Sequence, residues 1–202
     1  MNGLIYKDFV NLKQQGKVLA LVVGIWTVVC AIEGSPYFLG GILSIFSGLL
    51  PLAAYAFDER SGWDKYALTM PVSRRQIVLS KYVLGVLGLS AGLMLSMAVA
   101  FLMKRETGEI LVTHCAFLAI GLVAVSVLLP LSFKFGTEKA RFILMFLYVI
   151  PMLLITFLKG ISIPMPDEAT LNLLICLAPV SALCLFAVSA YVSVQIYTRK
   201  EF

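Results

Sequence analysis

Gly88-Leu89-Ser90-Ala91-Gly92 has the G-x-S-x-G spacing. On a strand-turn-helix elbow, that spacing lifts a serine nucleophile toward a base. Here it falls in the middle of a long apolar run with no base beside it, so it reads as helix packing and not as catalysis. Gly88 and Gly92 are spaced G-x-x-x-G, with Gly85 close by, and small residues at such intervals let membrane helices approach closely. The single histidine, His114, has no carboxylate near it in sequence and reads as a packed or interfacial side chain. Cys30, Cys115, Cys176 and Cys184 form no C-x-x-C pair, which leaves neither zinc nor redox chemistry indicated. The chain has no G-x-x-x-x-G-K-[ST] loop, H-E-x-x-H pair or EF-hand pattern. No catalytic residue, metal ligand or cofactor is assigned, and the chain is not expected to be an enzyme.

The elements that carry these residues follow from composition. Of 202 residues, 60% are hydrophobic and only 13% charged, with mean hydropathy +0.96. Soluble domains run at about 45–50% apolar and about 25% charged, so a water-soluble enzyme, a disordered chain and a disulfide-stapled secreted domain are all excluded. The expectation is an all-α polytopic membrane protein in one domain, 1–202. A spanning helix needs about 20 apolar residues. Six stretches qualify or come close: about 18–32, 38–57, 82–103, 110–133, 142–158 and 171–197. Their cores hold no Asp, Glu, Lys or Arg, which argues against ion-coupled transport and intramembrane metal sites. Pro51, Pro130, Pro151 and Pro179 lie within spans, where proline is common.

The net charge of +5 does not indicate nucleic acid, because in a membrane protein the placement of charge outweighs its sum. One side of the six-span plan collects Lys7, Lys13, Lys17, Arg60, Lys65, Arg74, Arg75, Lys81, Lys134, Lys139, Arg141, Arg199 and Lys200. The other has only Lys104, Arg105 and Lys159. The positive-inside rule then places both termini and residues 58–81 in the cytoplasm.

Two segments outside the spans have structure of their own. Residues 1–17 read as an amphipathic interfacial helix, with Ile5, Phe9 and Leu12 on one face, turning into the first span. Residues 58–81 hold two helix starts. Ser61 with Asp64 is a weak capping box, and Ser73 with Gln76 a standard one; Pro71 separates them. This predicts a short helix near 62–69 and a second from Arg74 into the third span. On the short helix Trp63, Tyr66, Ala67 and Met70 share a face. That stripe either packs against the span ends and headgroups or docks a cytosolic partner. Asp58, Glu59 and Asp64 are available to pair with basic groups on that partner. Arg74 and Arg75 stand in the first turn of a helix, a poor place by dipole reasoning, and are candidates for lipid headgroups or a partner carboxylate. Gly40, Ser44 and Gly48 in the second span repeat the small-residue spacing of Gly88 and Gly92. Both stripes are candidates for contacts between spans or between protomers.

The run Asp58-Glu59, Trp63, Tyr66, Pro71-x-Ser73-Arg74, Val78, Lys81-Tyr82 resembles the signature of small ABC-2-type transporter permeases, in particular those of the phenol-soluble modulin exporter family. The resemblance implies a permease subunit in a bacterial cell membrane, paired with a second copy or sister permease. It implies separate ATPase subunits that bind the ATP and Mg and drive export, with amphipathic peptides as cargo. The short helix would be the coupling helix, with Asp58, Glu59, Trp63, Tyr66, Met70 and Arg74 as coupling residues. The connection from Lys159 to Thr170, with Pro164 and Pro166, leaves little room for an extended extracellular gate. The alternative is a six-span small-molecule-binding subunit, such as the vitamin-capturing component of energy-coupling-factor importers. It would draw on His114, Glu106 and Glu109 near the outer face.

Overall fold

The computed structural model describes residues 2–67, 69–158 and 168–200; most of the connection from Lys159 to Thr170, with Pro164 and Pro166, where little room for an extracellular gate is expected, lies outside them. The described residues are helical with short connections and contain no strand: α1 (Asn2–Glu33), α2 (Tyr37–Ser61), α3 (Trp63–Ala67), α4 (Arg74–Leu102), α5 (Thr107–Phe135), α6 (Thr137–Leu158) and α7 (Glu168–Thr198). Four stretches are long and apolar enough to cross a membrane: Tyr37–Ser61, Arg74–Leu102, Thr107–Phe135 and Asn172–Thr198. The expected spans 18–32 and 142–158 are helical but are not among these four. Gly16–Cys30 is a shorter apolar stretch, below the ~20 residues a crossing needs.

Helix α5 is the hub, packing against α2, α4, α6 and α7. It can do so because the contact positions are small. A Cβ on Gly121 would collide with Leu89 of α4 and would lie 3.1 Å from Ser47 Oγ of α2. A Cβ on Gly85 would lie 3.1 Å from Val125. Dispersion between closely approaching backbones is what holds apolar helices together where no hydrophobic gain separates helix from lipid.

Helix α1 corrects one expectation. It runs unbroken from Asn2 to Glu33, without the turn expected near Val18. Gly16 has nothing within 4 Å of its Cβ position, so no packing bends the helix there, and no proline interrupts it. Its buried stripe is Leu4, Asp8 and Leu12, not Ile5, Phe9 and Leu12; Phe9 is half exposed. A charged residue thus occupies the middle of an otherwise apolar i, i+4, i+8 row.

Candidate functional site

The buried Asp8 belongs to a charge cluster drawn from three helices, α1, α2 and α4. Lys81 of α4 places its Nζ 2.7 Å from Asp8 Oδ1 and 2.6 Å from Asp58 Oδ2 of α2. Lys7 Nζ lies 2.5 Å from Asp58 Oδ1 and 3.4 Å from Asp8 Oδ1. Asp8, Asp58 and Lys81 are 0%, 2% and 1% exposed. Two acids and two bases close a formally neutral ring. Buried charge is tolerated on those terms, and removing one member leaves the others uncompensated.

The ring is joined to the short helix α3. Lys7 Nζ sits 4.4 Å from the centroid of the Trp63 ring, a cation–π contact. The Trp63 indole packs against the same core as Tyr55, Phe133 and Tyr197, and its N–H has no acceptor among the described residues. One residue on, Asp64 accepts a hydrogen bond of 2.8 Å from the Tyr197 hydroxyl of α7. Burial pushes the Asp64 carboxyl above its usual range, partly opposed by that hydrogen bond. Phe133 meets Tyr55 and Tyr197 edge-on, at 4.8 and 5.5 Å between centroids, and completes the floor beneath α3.

Local sequence explains why α3 exists. Helix α2 does not stop at Phe57 but continues to Ser61, and Gly62 ends it in a left-handed conformation, φ +65°, that favours glycine. Ser61 is therefore no N-cap: its hydroxyl donates back to the Phe57 carbonyl at 2.8 Å, so the weak capping box does not form. The expected helix near 62–69 is Trp63–Ala67. The Ser73–Gln76 box is complete, with Gln76 N–H on Ser73 Oγ at 3.3 Å and Ser73 N–H on Gln76 Oε1 at 3.1 Å.

Several residues assigned to a partner are engaged within the chain instead. Asp58 is sealed in the charge ring, and Asp64 is buried against Tyr197. Glu59 accepts from Thr137 N–H at 3.1 Å and Thr137 Oγ1 at 2.7 Å, so it caps the N-terminus of α6, where the helix dipole favours an anion. Close by, Gly136 has φ +88° and lies where a Cβ would come within 3.0 Å of Glu59 Oε1. Arg74 donates to the carbonyls of Thr198 at 2.7 Å and Lys200 at 3.0 Å, closing the C-terminal end of α7. A cation poorly placed on its own helix is well placed on its neighbour's last turn. The aromatic stripe also divides. Trp63 and Ala67 face the bundle, whereas Tyr66 (65% exposed) and Met70 (46% exposed) face outward. Beside them a pocket of about 270 Å³ lies between Lys7, Trp63, Met70 and Val72.

The small-residue stripes meet other helices of the same chain. Cβ atoms on Gly40 and Gly48 would lie 2.6 Å from Phe117 and 3.2 Å from Leu128, both on α5. On Gly88 and Gly92 they would lie 2.5 Å from Leu50 and 3.1 Å from Leu43, both on α2. Ser44 is buried and donates to the Gly41 carbonyl of its own helix at 2.6 Å. Each of these glycines therefore meets another helix of the same bundle. His114 is buried, with Nδ1 2.7 Å from the Ile110 carbonyl and Nε2 3.2 Å from Ser96 Oγ.

Sequence reasoning missed Asp8 altogether and counted Lys7 and Lys81 only as positive charges. The signal was available: Asp8 lies four residues from Leu4 and from Leu12, and Lys81 lies four from Ile77 and from Gly85. Among the described residues there is no cluster of metal ligands. What the site supplies is mechanical: a five-residue helix fixed to α1 and α7 by directional contacts, with Lys65 and Tyr66 exposed on its outer side and Met70 exposed just beyond it.

Compared with known proteins, residues 3–198 match the family model described as ABC-2 family transporter protein. No curated protein and no solved structure gives a match.

Proposed function

We propose a function from one premise: the chain belongs to the ABC-2 transporter family, whose members are membrane components of ABC transporters that work with ABC ATPases. This chain is a multi-pass permease in which α3 is the coupling helix. The observation that carries the reading is the division of α3 and the turn after it: Trp63, Asp64 and Ala67 are held inward, while Lys65 and Tyr66 of the helix and Met70 just beyond it are exposed. A helix that transmits force needs both, an anchor that does not yield and a surface a partner can grip. The partner is a separate ATPase that binds ATP and Mg.

The converged ends support a cytoplasmic location for α3. The ring joins the start of α1 to the end of α2 and the start of α4. Glu59 joins that end to the start of α6, and Arg74 joins it to the end of α7. The basic residues of these segments therefore share one end of the bundle, which the positive-inside rule puts in the cytoplasm of a bacterial cell, with both termini. The apolar half of α1 and helix α6 complete six spans. Two such permeases, identical or sister copies, enclose the pathway, and the transporter exports amphipathic peptides in the manner of the phenol-soluble modulin exporters. The importer reading gains nothing from His114, whose ring nitrogens are both engaged within the chain.

The test is affinity purification of the full chain from its native membranes in mild detergent. The expected result is co-recovery of a protein with Walker motifs, reduced by Tyr66→Ala together with Met70→Ala while insertion is unchanged. Recovery of the chain alone, active in transport, would overturn the reading.

A further inference from the structure

We propose that the cleft between α1, α2 and α4 is a binding site for one anionic phospholipid. The inference rests on the proposed membrane orientation, with the polar end of the bundle in the cytoplasm, and is independent of the coupling role of α3.

The cleft has a volume of about 1100 Å³, just above the ~300–1,000 Å³ span typical of small-molecule sites. Its walls are apolar, with Leu49 on one side and Leu87, Ala91 and Leu95 on the other. A cavity so large and so apolar suits long hydrocarbon chains. It exists because α1 leans on α2 and α4 through Leu4, Asp8 and Leu12 near one end and through Trp26 and Cys30 near the other, leaving the middle of α1 apart from them.

Two cations mark the headgroup end. Lys13 of α1 and Arg141 of α6 both line the cleft. Lys13 lies five residues, about 7 Å of helix rise, beyond Asp8; Arg141 lies four residues, about 6 Å, beyond Thr137. Asp8 and Thr137 both belong to the polar end, through Asp58 and Glu59 of one helix turn. The two cations therefore sit at similar depth, just inside that end. Unlike Lys7 and Lys81, neither makes an ion pair or hydrogen bond to the described residues. Tyr6 and Phe9 line the same mouth, as aromatic residues do at the level of headgroups. Basic pockets between membrane helices on the cytoplasmic side hold anionic headgroups. A phosphate at the mouth answers both cations while its acyl chains fill the apolar length.

The experiment uses the full chain exchanged into bilayer nanodiscs of equal phosphatidylglycerol and phosphatidylcholine, then released into detergent, with retained lipid counted by native mass spectrometry. Wild-type chain is expected to keep one phosphatidylglycerol in preference to phosphatidylcholine. Lys13→Ala with Arg141→Ala should lower that preference about thirtyfold, taking two basic contacts at their usual strength. Ala91→Trp, which fills the cleft and leaves both cations, should reduce retention of either lipid. Both variants alter exposed positions, and their thermal unfolding should match wild type. Equal retention of the two lipids by wild type, or unchanged retention in both variants, would overturn the proposal. So would disulfide crosslinking of Leu95→Cys to a second copy in native membranes, which would make the occupant a protein.

Discussion

The polar end of the bundle and the outer faces of α6 and α7 obey opposite rules. At the polar end, Asp8, Asp58, Glu59, Asp64, Arg74 and Lys81 all have partners inside the chain at hydrogen-bond distance. On α6, Phe142, Met145, Phe146, Leu153 and Phe157 stand exposed, as do Leu173, Leu177 and Val180 on α7. An apolar surface of that extent belongs against lipid or another subunit. The polar end fixes one arrangement because its contacts are directional and costly to leave half-made. The outer faces fix none, since lipid tails and leucine side chains are equally apolar.

The polar end is disturbed most severely by Lys81→Ala, which leaves Asp8 and Asp58 buried with Lys7 alone. A loss of about 3–5 kcal/mol is expected in reversible unfolding in detergent. Replacing a pair, as in Asp8→Leu with Lys81→Met, keeps Lys7 with Asp58 and should recover most of that loss. If Lys81→Ala unfolds like wild type, the ring is no anchor.

Next comes Gly88→Leu, whose Cβ alone meets Leu50 at 2.5 Å. Overpacking of about 1–3 kcal/mol should lower its melting temperature, whereas Gly24→Ala, with open space at its Cβ, should change little. Equal effects at the two glycines would contradict the packing described for α2 and α4.

Asp64 gives a smaller, pH-dependent effect. Burial raises its pKa, so its folded state favours the proton, and its contribution is fully present below the ordinary carboxylate value near 3.9. That contribution is lost as pH rises through the higher folded value. Asp64→Asn keeps an oxygen for the Tyr197 hydroxyl but cannot ionise. Tryptic cleavage after the exposed Lys65, taken as the ratio of wild type to variant, should rise from pH 5 to pH 8. A flat ratio would mean that Asp64 does not ionise at a cost.

The smallest effect belongs to the outer face. Phe146→Ala with Leu153→Ala should leave the unfolding of the isolated chain within about 0.5 kcal/mol of wild type. Crosslinking to a second permease in native membranes should fall, if that face is where two bundles meet. Loss of chain stability instead would mean that these residues are internal.

The helical bundle was legible because apolar runs and capping residues act locally: the Ser73–Gln76 box and the helix from Arg74 stand where the residues place them. The charge ring was not, because its meaning depends on which face of each helix is buried. Asp8, Asp58 and Lys81 each continue an apolar stripe, Leu4–Leu12, Ala54–Tyr55 and Ile77–Gly85, yet a count of charges by loop treats them all as exposed. The end of α2 was misplaced for the same reason. Asp58, Glu59 and Arg60 look like a loop by hydropathy but form the last turn of the helix, which ends only where Gly62 turns it. The contacts of Arg74 and Glu59 join residues 124 and 78 apart in sequence, a distance no local pattern encodes.

Photocrosslinking from α3 tests the coupling role most directly. A benzophenone-bearing phenylalanine at position 66, on the outer face, and another at position 145, on the exposed side of α6, would be activated in native membranes. A coupling role for α3 predicts an adduct with an ATP-binding cassette protein from position 66 and none from position 145. Adducts from position 66 confined to lipid, or an ATPase adduct from position 145 alone, would contradict it.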